Sequence, residues 1–131
     1  LINQYTMEIS TPPEELHQQL DSWKAAVNAV RNEVKMMRER LEQIALSKAS
    51  RDVMTQVEHF ENRLLRQREV ADEMYHDLKQ CAKKVSDTPV RVIHDDRPVD
   101  DFHTMQHRME TFQKLYEGLK DDFNHFMPCE V

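Results

Sequence analysis

The 131-residue chain holds seven histidines, and several stand relative to acids as metal ligands do. Glu14 precedes His17, and Glu73 precedes His76, in the Glu-x-x-His arrangement by which carboxylate-bridged bundles present two ligands from one helical turn. His103 and His107 are one turn apart on a helix, a spacing that paired imidazole ligands use. If the helices that carry them run up, down and up, all six gather toward one end. They would then serve a ferritin-like or hemerythrin-like metal bundle. Other catalytic patterns are missing: a single glycine, Gly118, leaves no G-x-G-x-x-G, no phosphate-cradling loop with lysine and no nucleophile elbow.

Whether six ligands can meet depends on the helices that hold them. Apolar residues step by four and three in three runs. The first passes from Leu16 through Leu20, Trp23, Val27, Val30, Val34, Met37 and Leu41 to Ile44. The second passes from Val53 through Val57, Phe60, Leu64, Ala71, Met74, Leu78 and Cys81 to Val85, with Gln67 as its one polar member. The third joins Phe102, Met105, Met109, Phe112, Tyr116, Leu119, Phe123 and Phe126. A period of 3.5 keeps one stripe facing its neighbours along a helix's whole length. Prolines at 12, 13, 89, 98 and 128 bracket the runs, because proline fits a helix's first turn and breaks its interior. Ser10 or Thr11 can cap the first helix, with Glu14 and Glu15 against its positive end, and Asp95 or Asp96 before Pro98, then Asp100 and Asp101, repeats the arrangement for the third.

Nothing between Glu14 and Thr88 is proline or glycine, so one helix of that length is conceivable. The phase argues for a break. Ile44 and Val53 both fit d positions yet are nine residues apart; two extra residues would swing the second stripe roughly 200° around a straight helix. A reversal near Ser47–Ser50 removes the conflict. The expected fold is therefore all-α, an antiparallel up-down-up three-helix bundle with coiled-coil-like heptad packing. It forms a single domain over 1–131, with helix 1 at about 12–47, helix 2 at about 50–85, a loop over 86–97 and helix 3 at about 98–127. The rival is a long broken helix in an intertwined dimer. Tyr5, Met7 and Ile9, and likewise Val90 and Val92, alternate with other residues at a period of two, which suits either a small two-stranded ribbon at one end or irregular loop.

The heptad letters turn the ligand candidates outward. His17 falls at e, His76 at f, His103 at b and His107 at f, whereas bundle metal sites project from a and d. The expectation is solvated histidines, no cofactor and no enzyme. A turn centred near residue 48 would give helices 1 and 2 partners whose numbers sum to about 97, placing Trp23 level with Ala71 to Met74 and bringing Met105 and Met109 into that layer as the centre of the core. Gln67 is either a residue at the bundle's edge or a buried amide that fixes register.

Composition bounds the partners. A net charge of −6 argues against nucleic acid, no stretch nears the roughly 18 apolar residues of a membrane span, and no small-molecule substrate is evident. Cys81 at d reads as a buried hydrophobe and Cys129 lies at the opposite end. The two cannot pair, which suits a reducing compartment, the cytoplasm. A start at Leu1 without an initiator methionine is expected of a piece of a longer protein. Within residues 31–68 bases outnumber acids nine to six, so the hairpin end is basic and could steer an acidic partner or align copies head to tail. Met36 at c and Leu65 at b are apolar where solvent is expected; with Arg40, Arg66 and Arg68 they form the candidate interaction patch. These features together lead to the expectation of a noncatalytic protein-interaction or spacer domain that binds a protein partner or itself.

Overall fold

A computed structural model describes residues 13–86 and 99–127. It contains three helices, α1 (Pro13–Leu46), α2 (Arg51–Val85) and α3 (Phe102–Phe126), and no strand among the described residues. The fold is an all-α three-helix bundle. At 1.5 Å per residue α1 and α2 are each about 50 Å long. The residues suggested for a ribbon, Tyr5, Met7, Ile9, Val90 and Val92, and the cap candidates Ser10, Thr11, Asp95 and Asp96, lie outside the described residues.

The chain reverses without glycine at Ser47–Ser50. The Ser47 backbone N–H and hydroxyl both donate to the Ile44 carbonyl, at 3.1 and 2.7 Å, closing the end of α1. Lys48 takes a left-handed φ of 58°, and the Ser50 hydroxyl caps α2 by accepting from the Val53 N–H at 3.3 Å. At the start of α3 the cap is Asp101, whose carboxylate accepts from the Thr104 N–H at 2.8 Å. The helix begins at Phe102, not near 98, because Asp101 supplies the acceptor that the first orphan N–H groups need. That bond holds the Asp101 carboxyl below its ordinary range.

Ion pairs fix the directions. Arg31 meets Asp72 at 2.9 Å and Arg38 meets Glu61 at 2.9 Å, so numbers fall along α2 as they rise along α1. Arg108–Asp77 at 2.8 Å and Arg63–Asp122 at 3.0 Å set α3 against α2 the same way. Lys120–Glu33 at 3.3 Å and the stacking of Trp23 on Phe102 at 5.1 Å make α3 run with α1.

Apart from Met127 and Gln80, the buried residues described are those of the stripes. Leu20, Val27, Leu64, Ala71, Leu78, Cys81, Met105 and Phe123 are completely enclosed, and the described stripe ends are half-buried. Gln67 is half-buried too, at the edge rather than in the middle of the core. Trp23 departs from the expected layer. The Arg31–Asp72 pair places it level with about residue 80 of α2, past Ala71 and Met74, and its half-buried indole packs on Phe102. The Arg108–Asp77 and Arg63–Asp122 pairs set Met105 level with about residue 80 as well, so Met105 shares the indole's layer toward one end, while Val30, Ala71 and Phe112 fill the middle of the bundle.

Candidate functional site

The three seams of the bundle use their charges differently. On the α2–α3 seam the Arg108 guanidinium donates to Asp77 at 2.8 Å and Asp100 at 2.7 Å and approaches Glu73 at 3.8 Å. Burial alone would lower the Arg108 pKa, but the two carboxylates outweigh it and hold the cation above its ordinary value. On the α1–α3 seam the Tyr116 hydroxyl donates to Glu33 at 2.6 Å. This bond holds the Glu33 carboxyl below its ordinary range, while burial, reinforced by Glu33, pushes the Tyr116 hydroxyl up.

The α1–α2 seam instead opens outward as a groove of about 1120 Å³. Val34, Leu41 and Val57 form its floor, and Asn28, Asn32 and Asn62 contribute amides. Its charges are sorted by sign. Toward the start of α1 stand Arg31, Lys35 and Arg68; toward the hairpin stand Glu39, Glu42, Glu58 and Glu61 against the single cation Arg38. Arg31 and Arg38 are paired across the seam. Lys35, Arg68, Glu39, Glu42 and Glu58 make no ion pair among the described residues.

The suggested patch is divided by this geometry. Leu65, 39% exposed, lies one turn from Glu61 and Arg68 on the strip of α2 that borders the groove. Met36, 63% exposed, lies one turn from Glu33 and Arg40, and both of these reach α3: Glu33 through Tyr116 and Lys120, Arg40 with its guanidinium 5.6 Å from the Phe123 ring. The methionine therefore sits beyond the crest of α1, away from Leu65. Arg66 is exposed, at c on the other flank of α2. Leu65 and Arg68 share the groove border; Met36, Arg40 and Arg66 do not. The residues that complete the groove, Lys35, Glu39, Glu42 and Glu58, were not among the suggested ones, although their b and f letters carry the signal.

Of the metal candidates, Glu14, Glu73, His76, His103 and His107 are exposed and His17 is half-buried. The His103 and His107 rings stack with centroids 6.3 Å apart, and His76 lies 3.3 Å from Asp77. No three metal-capable side chains gather among the described residues. Cys81 is wholly enclosed, and burial pushes its thiol up to about 11, which makes it a poor nucleophile at neutral pH. Cys129 lies outside the described residues. Among the described residues no helix is long and apolar enough to cross a membrane. Comparison with family models, with curated proteins and with solved structures gave no match.

Proposed function

We propose that this chain is a noncatalytic helical bundle of coiled-coil character that acts by binding protein, itself included, or by spacing parts of a larger assembly. The observation that carries the reading is the α1–α2 groove, where five charged side chains make no ion pair among the described residues and the exposed Leu65 lies one turn from the lining residues Glu61 and Arg68. Charges aligned along a concave surface set partner choice and orientation, and a leucine at the border supplies apolar area to exclude water. The acidic balance disfavours nucleic acid as the partner, and the free, buried Cys81 suits the cytoplasm.

A photo-crosslinking residue in place of Leu65 tests the reading. It should capture a protein, another copy or a different chain, and the capture should be lost when Lys35 and Arg68 become glutamate. A chain that stays monomeric at high concentration and captures nothing sinks the proposal. So does stoichiometric iron or manganese in protein purified without added metal, if His76→Ala and His103→Ala abolish it.

A further inference from the structure

We infer that the partner of the α1–α2 groove is a second copy of this chain, docked groove to groove about a two-fold axis that passes beside Leu65. This rests on the interaction reading above and names the occupant. A two-fold interface is isologous: the same surface is used twice, and whatever lies on one side of the axis meets what lies on the other. A surface of one sign repels its copy in that arrangement. A surface positive at one end and negative at the other attracts it.

The groove has that second form. Arg31, Lys35 and Arg68 occupy the end toward the start of α1, and Glu39, Glu42 and Glu58 the end toward the hairpin. Except for Arg31, which holds Asp72, these groups have no ion pair among the described residues. The spacing about Leu65 is close to balanced. The cross-seam pairs Arg31–Asp72 and Arg38–Glu61 put Leu65 level with residues 35 and 36 of α1. From there Arg31 lies roughly 7 Å one way and Glu42 roughly 10 Å the other. On α2, Arg68 lies roughly 5 Å from Leu65 on the positive side and Glu58 roughly 10 Å on the negative side. Turning a copy end for end thus lays Arg31 and Arg68 toward the acids, while Lys35 stays level with the axis. Leu65, 39% exposed, meets its own counterpart. The other exposed large apolar side chains among the described residues do not compete for the position: Leu115 is on α3, Leu46 is at the hairpin, and Met36 lies beyond the crest of α1.

Two sets of variants test the pairing, with sedimentation and light scattering from micromolar to millimolar chain and helical ellipticity as a control for folding. In a Cys129→Ser background, Leu65→Cys should oxidise to a covalent dimer, since a two-fold beside this residue brings the thiols within disulfide reach. Leu115→Cys, 65% exposed on α3, should stay monomeric under the same oxidant. Separately, the double variants K35E/R68E and E39K/E58K should each weaken self-association roughly tenfold or more, while an equimolar mixture of the two restores it as a heterodimer. Native self-association should weaken as salt is raised.

A dimer that forms but crosslinks no better at 65 than at 115, or a mixture of the charge variants that does not pair, overturns the inference. A chain that remains monomeric throughout also overturns it. If that monomer still captures a different protein through position 65, the interaction reading stands and only self-pairing fails. If it captures nothing, both fail.

Discussion

The seams made by α3 and the seam between α1 and α2 are built from the same kinds of residue to opposite ends. Where α3 meets the hairpin, each charged group described above has an internal partner: Arg108 has Asp77 and Asp100, Arg63 has Asp122, and Lys120 and Tyr116 share Glu33. Where α1 meets α2, apolar residues close the floor and part of the charge is left outward. Ion pairs that lose solvent add orientation, and removing one partner leaves a costly orphan. Exposed charges contribute little to stability and much to recognition. The difference fits the reading proposed above, in which the groove side of the α1–α2 seam meets something outside the fold while the charges on the α3 seams are satisfied within it.

Substitutions separate the two regions by size of effect. Phe60 is buried against Phe123 and stacks on Phe126 at 5.1 Å, so Phe60→Ala should cost about 3–5 kcal/mol in chemical denaturation; a loss below about 1 kcal/mol would mean that α3 is not anchored there. Arg108→Ala leaves the Asp77 side chain, only 12% exposed, beside Asp100. It should cost about 2 kcal/mol, and adding Asp77→Asn should recover part of that.

Tyr116→Phe should cost about 1 kcal/mol after allowance for the half-exposed Glu33. Its signature is in the pH profile. The folded Glu33 carboxyl titrates below its ordinary 4.5, so its stabilisation is present above that pH and is lost as pH falls through the folded value. Tyr116 is raised above its ordinary 10.0, so its contribution is present below that pH and fades as the solution becomes more alkaline. Tyr116→Phe should flatten both arms; an unchanged acid arm would assign acid sensitivity elsewhere. Lys35→Ala with Arg68→Ala should stay within about 0.5 kcal/mol of the native monomer. A larger loss would make the groove part of the folding machinery and erase the contrast.

Much of this was legible in the amino-acid order. The stripes marked the core, and the phase slip between Ile44 and Val53 located a reversal that no glycine or proline announces. The start of α3 was harder, since Pro98 and Asp101 both signal a helix N-terminus and only tertiary contacts, with Asp100 held by Arg108, choose between them. The register of Trp23 depended on a few residues' offset between helices, which heptad counting does not resolve. The divided patch could have been seen: c and b lie on opposite flanks of a helix, so Met36 at c on α1 and Leu65 at b on α2 could share a seam only if the helices presented those flanks to one another. Equal height on two helices does not by itself bring side chains together.

The chain has one tryptophan, and its indole rests on the first residue of α3. Fluorescence from that ring therefore follows the departure of α3 from the hairpin, whereas far-ultraviolet ellipticity is weighted toward the two long helices. The molecule carries its own two-channel readout: coincident transitions would mean that the third helix and the hairpin melt as one cooperative unit, and an earlier optical change would mean that α3 can lift off while α1 and α2 remain paired.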